Sequence, residues 1–216
     1  AQRYSPYLFE PREVDREKLL ACLEAARWAA SSYNEQPWSF LVAERNNEEA
    51  FQTMLDCLLE ANQAWAKNAG ALLITVAAES FSKNNKPNRV CDHDIGLAVG
   101  NLTVQATTIG LHVQQMAGLN ISKTQQVYGI PDSHHPLTAI AIGYAAAPVD
   151  ASSSPLAELD NLPGSPKPLS GYVCVVNGGD GFMQCNGSAV NSPKPTACRR
   201  SDDESSAWAM SDADIS

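Results

Sequence analysis

Ser31-Ser32-Tyr33-Asn34-Glu35-Gln36-Pro37-Trp38 places a run of hydroxyl and amide side chains between an amphipathic segment and the apolar stretch Phe40-Leu41-Val42-Ala43. The run is dense in hydrogen-bond donors and acceptors and holds no charged nucleophile. Such a surface suits a planar ligand that hydrogen-bonds along its edges. Pro37 disfavours the helical region for the residue before it, so the chain must extend there. A strand over residues 38–43, aromatic and aliphatic in composition, follows directly.

Upstream of this elbow, Asp15 is a good helix N-cap, and Leu19, Leu23, Ala26 and Ala30 recur at helical spacing. They predict a core-facing helix over residues 15–30. Downstream, residues 48–62 read as one helix with Phe51, Leu55, Leu58 and Leu59 on its apolar side. Residues 71–77 are apolar without a break, as an inner strand covered on both faces would be. The loop 80–89, with Lys83-Asn84-Asn85-Lys86-Pro87-Asn88, belongs at the surface.

The next helix, about 92–109, carries Ile95, Val99, Leu102, Ala106 and Ile109, and Leu97, Ala98 and Val104 make much of its remaining surface apolar. A helix apolar nearly all round is buried. In a chain of this size, a second subunit is the economical way to bury it. Gly110 is positioned as its C-cap. Strands at 111–113 and 137–144, with a short helix at 122–128 between them, complete an α+β pattern with a mixed sheet.

The chain has 216 residues, 44% hydrophobic and 18% charged, enough for one core. Residues 1–150 form one domain. Residues 151–216, rich in Ser, Pro and Gly and poor in large aliphatics, read as a C-terminal arm and a disordered or atypical tail. A net charge of −9 without a cationic cluster argues against non-specific nucleic-acid binding. No apolar run has the length of a membrane span, and Ala1-Gln2-Arg3 lacks the apolar core of a signal peptide, so a cytoplasmic location is expected.

The six cysteines form no Cys-x-x-Cys pair, which argues against structural zinc. Cys22, Cys57 and Cys91 are expected as reduced core residues. His93, His112, His134 and His135 lack metal-like spacing with carboxylates, and surface or structural roles are expected. His112 alone is singled out, because a strand end beside the 117–119 loop would face a pocket. Taken singly, Arg3 and Ser5 read more readily as a solvated cation and a turn, Asn62 as a helix interruption, and Gly118 as a turn glycine.

In their order along the chain, Arg3-Tyr4-Ser5, the full stretch through Gln36-Pro37-Trp38, Asn62-Gln63-Ala64-Trp65 and Ala117-Gly118-Leu119 resemble the nitroreductase family of FMN enzymes. That family's N-terminal half typically reads Arg-x-Ser-x-Arg and then Ser-Ser-x-Asn-x-Gln-Pro-Trp. The resemblance covers roughly residues 3–145. It implies a nitroreductase-like three-layer α+β fold, with a mixed, mainly antiparallel sheet flanked by helices and a long central helix in a dimer interface.

It also implies an NAD(P)H oxidoreductase that reduces small electrophiles, such as nitroaromatics and quinones, by ping-pong hydride transfer through flavin N5. The flavin supplies that chemistry, and no side chain is required as acid or base. By the same resemblance, Arg3 and Ser5 contact the cofactor and Asn62 holds the flavin pyrimidine edge. The Ala117-Gly118 loop brings a backbone N–H to N5. Ser31, Ser32, Asn34 and Gln36 reach the flavin bound mainly by the other subunit of a homodimer. Asp94, Gly96 and Gly110 also fit the family pattern, in structural roles.

Three positions depart from that pattern. Tyr7, Gly164 and Pro166 stand where cations are common, leaving Arg3 and Lys167 on the phosphate side. The alternative reading is therefore a non-catalytic dimer of the same fold with weakened or lost FMN binding. An enzyme that acts on flavin itself shares the fold as well. NADH and NADPH are not distinguished, since there is no dinucleotide-binding glycine fingerprint.

Overall fold

Ala71–Ala78, the inner strand β2, lies between β1 (Trp38–Glu44) and β4 (His134–Gly143) in the computed structural model, which describes residues 3–147 and 155–161. With β3 (His112–Met116) the sheet order is β1-β2-β4-β3. The register pairs Leu41 with Ile74, Leu73 with Ile140, and Val113 with Ile142. Each of these pairings is antiparallel, so the parallel component of the expected mixed sheet is not found among the described strands.

The twofold alternation of a strand sends its side chains into two cores. On one face Ala71, Leu73, Ala77, Val113, Ile140 and Ile142 pack with α1 (Arg16–Arg27) and α4 (Cys91–Thr108). On the other, Leu72, Ile74, Val76, Ala139 and Ala141 pack with α2 (Glu48–Leu55) and α3 (Glu60–Ala66). Helices on both faces explain why β2 shows no polar alternation. Burying each of its Leu and Ile side chains contributes about 1.5–3 kcal/mol.

The segment 48–62 is two helices and not one. Between α2 and α3 the chain is tied to the loop after β3: Leu58 pairs with Leu119, the Leu59 N–H donates to the Gly118 carbonyl at 3.0 Å, and the Asn120 N–H donates to the Cys57 carbonyl at 2.8 Å. No Gly or Pro marks residues 56–59 as a break. A long-range pairing overrides local helix propensity there. After that loop comes α5 (Ile121–Tyr128).

β3 runs to Met116, further than the expected 111–113, because Gln114 and Gln115 interrupt its apolar pattern. His112 therefore begins this strand, and six residues, roughly 20 Å of extended chain, separate it from Gly118. The expectation that it sits beside the 117–119 loop is incorrect. Its ring instead meets Tyr4 edge-on at 4.8 Å, and burial pushes its imidazole below the ordinary histidine range.

In the single chain α4 is buried along one face, through Ile95, Ala98, Val99, Leu102 and Ala106. The opposite face presents Gly96, Leu97, Gly100, Asn101 and Val104 to solvent, with Leu97 41% and Val104 62% exposed. The helix ends at Gly110, whose φ of 77° is a left-handed value that glycine adopts without strain.

A short helix, α6 (Pro155–Asp160), lies within the segment read as an arm, and its Leu156 packs on the core that contains Trp65. Residues 151–154 and 162–216, including Gly164, Pro166 and Lys167, lie outside the described residues.

Cys22, Cys57 and Cys91 are free and buried, and burial pushes the Cys22 thiol up to about 11. At pH 8 its thiolate fraction is about a hundredfold below that of an ordinary cysteine. Mass-resolved alkylation of the native chain should therefore label Cys22 at least tenfold more slowly than the same peptide in denaturant. Equal rates would show that this side of the core is open.

Candidate functional site

The N-terminal arm is fastened to the end of β4. Phe9 bridges Ala145, the Glu10 N–H donates to the Tyr144 carbonyl at 2.9 Å, and the Ala146 N–H donates to the Leu8 carbonyl at 2.9 Å. Asp160 at the end of α6 accepts the backbone N–H groups of both Tyr7 and Leu8. The Tyr7 ring meets Trp65 edge-on at 5.5 Å. The position where the family commonly has a cation is thus an aromatic anchor, holding the arm against α3 about one turn from Asn62. At the tip of the arm the Arg3 guanidinium donates to the Ser5 hydroxyl at 3.3 Å, and both side chains remain exposed.

The elbow after α1 is a short 3-10 turn, Ser32–Asn34, in which Tyr33, Asn34 and Gln36 have φ of 53°, 55° and 54°. Left-handed backbone at non-glycine residues costs on the order of 1 kcal/mol each and persists only where surrounding contacts impose it. Those contacts are visible. Asp94 of α4, 3% exposed, accepts the Ser32 N–H at 2.9 Å. The Ser31 hydroxyl accepts the Gln36 N–H at 3.0 Å, and the Gln36 amide donates to the Asn34 carbonyl at 3.2 Å.

Glu35 accepts the Ser82 N–H at 2.8 Å and Tyr33 meets Phe81 edge-on at 5.6 Å, so the 80–89 loop braces the elbow. The effect is to hold Asn34 and Gln36 in fixed positions at the surface. His135 braces the neighbouring structure: one ring nitrogen lies 2.8 Å from Glu79 and the other 2.9 Å from Asp92. It joins the ends of β2, α4 and β4, a structural role.

Asn62, in the first turn of α3, donates through Nδ2 to the Gly118 carbonyl at 3.1 Å. A Cβ on Gly118 would lie 2.1 Å from that nitrogen, so any larger residue there must push the Asn62 amide off the Gly118 carbonyl. The φ of Gly118 is not among the positive values; it is the space, and not backbone freedom, that favours glycine here. Ala117 beside it is exposed.

The sequence-derived residues thus fall into three groups: Arg3 with Ser5; Ser31, Ser32, Asn34 and Gln36; and Asn62 with Ala117 and Gly118. The Tyr7 contact with Trp65 fastens the base of the arm to α3, while Tyr4, between Arg3 and Ser5, packs on His112. Among the described residues no hydrogen bond joins Ser31, Ser32, Asn34 or Gln36 to either of the other groups. Sequence reading missed Asp160, which recognises backbone N–H groups and so leaves no motif, and the bracing by Glu35 and Phe81. The Asp94 position was legible as structural, but its partner Ser32 was not. Among the described residues no cluster of His, Cys, Asp and Glu could hold a metal, and no helix is long and apolar enough to cross a membrane.

Comparison with known proteins agrees with this fold. A crystal structure described as an oxidoreductase containing FMN is 31% identical, with a TM-score of 0.74 over 85% of this chain and 91% of that one. A nitroreductase family protein from Streptococcus pneumoniae TIGR4 shares the fold at 19% identity, with a TM-score of 0.64 over 81% of this chain and 96% of its own. The major NAD(P)H-flavin oxidoreductase of Aliivibrio fischeri is 40% identical over 62 residues, 28% of each chain. The profile of the nitroreductase family matches residues 1–144, and this chain belongs to that family.

Proposed function

We propose that the chain is an FMN-dependent oxidoreductase that uses NAD(P)H to reduce small electrophiles such as nitroaromatics and quinones, and that it works as a homodimer. The observation that carries this reading is the Gly118 cradle. The Asn62 amide packs where a Gly118 side chain would stand, and among the described residues the Gly118 N–H has no hydrogen-bond partner. Asn62 also keeps Oδ1 without a protein partner among those residues, an acceptor suited to a ring N–H. This donor and acceptor set fits a flavin ring.

When bound, FMN supplies the redox chemistry, passing a hydride from NAD(P)H to the electrophile. The chain binds and orients. Arg3 and Ser5 offer a cation and a hydroxyl on the phosphate side, with Lys167 as the second cation. The elbow offers Ser31, Ser32, Asn34 and Gln36 to the site of a second subunit, docked on the exposed face of α4. The FMN-containing structure at 31% identity and the NAD(P)H-flavin oxidoreductase from Aliivibrio support the cofactor and the reductant.

One observation favours the second reading, a non-catalytic dimer. Tyr7 is committed to Trp65 and Asp160, so no cation stands there for a phosphate. The visible absorption spectrum decides between them. Purified protein should take up FMN, bleach anaerobically with NADH or NADPH, and recover its colour with a nitroaromatic or quinone. A colourless dimer that takes up no FMN would overturn the enzyme reading.

A further inference from the structure

We infer that Asn62 is a positioning residue whose amide, by holding the Gly118 carbonyl, aims the Gly118 N–H into the cofactor site; the destination of that N–H rests on the FMN reading above. A carbonyl oxygen has two lone pairs, and at Gly118 both are taken, one by the Leu59 N–H at 3.0 Å and one by Asn62 Nδ2 at 3.1 Å. The peptide that follows Gly118 therefore cannot rotate without breaking both bonds.

The Leu119 N–H donates to the Ala117 carbonyl at 2.8 Å, closing a three-residue turn centred on Gly118. This fixes the preceding peptide as well, and with it the direction of the Gly118 N–H. The two bonds to the carbonyl come from Leu59, the residue before α3, and Asn62 in its first turn, so the turn is set by the start of the helix and not by its own sequence. Asn62 and Gly118 are also coupled, because the amide occupies the space of the missing Cβ.

A fixed N–H directed at an acceptor nitrogen stabilises the form in which that nitrogen can accept. Flavin N5 accepts when oxidised and carries its own hydrogen when reduced. Holding this N–H in place therefore favours the oxidised ring, and loosening it raises the midpoint potential.

The test uses the full chain with Asn62→Asp, which keeps the side-chain shape and removes the donor. In FMN-free protein, hydrogen exchange of the Leu59 and Leu119 amides should become at least tenfold faster, with exchange in α4 unchanged as an internal reference. Gly118→Ala should reproduce that loss, and the double variant should be no worse than either single one. With FMN bound, the midpoint potential of Gly118→Ala, which displaces the same amide without adding a charge beside the ring, should move upward. Unchanged exchange at Leu59 and Leu119, or an unchanged potential, would overturn the inference. Failure of the wild-type chain to take up FMN would overturn the cofactor reading and the destination of the N–H, while the exchange result would still decide whether Asn62 holds the turn.

Discussion

Gly70→Ala is expected to cost roughly 3 kcal/mol of stability, the upper part of the range for forcing extra volume into a packed site, or about 10 °C in Tm for a chain of this size. A Cβ at Gly70 would lie 2.6 Å from Val14 Cγ2, 2.7 Å from the Arg12 carbonyl oxygen and 3.2 Å from the Val14 nitrogen. The last two are backbone atoms and cannot rotate away. Nor can Gly70 withdraw, because its N–H donates to Ile142 and its carbonyl accepts from Arg45, both at 3.0 Å.

The strand end would have to push off residues 12–14, which lead back to the arm carrying Arg3 and Ser5. Weaker FMN uptake should therefore accompany the lower Tm, by at least tenfold in Kd. Thermal unfolding followed by circular dichroism, with flavin titration at 20 °C, reads both. An unchanged Tm would mean that the arm is held less closely than the distances state.

Asp94→Ala should have the larger effect on activity. Its carboxylate is buried between the Ser32 N–H and the His93 ring, with the latter at 3.2 Å. Removing it leaves a half-buried backbone donor without an acceptor, a loss of about 2 kcal/mol. More important for function, it frees an elbow whose left-handed residues are held by outside contacts. NAD(P)H oxidation in the presence of a quinone should fall more than tenfold at equal protein concentration. Asp94→Asn keeps an oxygen acceptor of the same reach and should lose less than about 1 kcal/mol, with most of the rate restored. Equal rates in wild type and Asp94→Ala would show that Asp94 does not position the elbow.

Strands β1 and β2 were legible because β2 is apolar at every position but Thr75 and β1 follows a proline, both local properties. The break between α2 and α3 was not legible, since its cause is a pairing with residues 118–120, far along the chain. The site shows the same division. Ser31, Ser32, Asn34 and Gln36 could be read in order, yet three left-handed φ values in that region leave no mark in residues that are neither Gly nor Pro. Gly118 could be read as a glycine in a turn, while the reason for it is an amide 56 residues earlier. Asp160 serves the arm at Leu8 across 152 residues, and nothing in either segment announces the other.

The elbow also bears on how this protein can change. Tyr33, Asn34 and Gln36 occupy backbone positions where glycine would sit without steric strain. A population of variants screened only for heat resistance would drift toward glycine at these three places and discard the amides and the aromatic ring that stand there. Ruggedness and chemistry pull the same few codons in opposite directions. A hardened version of this protein is then best sought elsewhere in the chain, with the elbow left untouched.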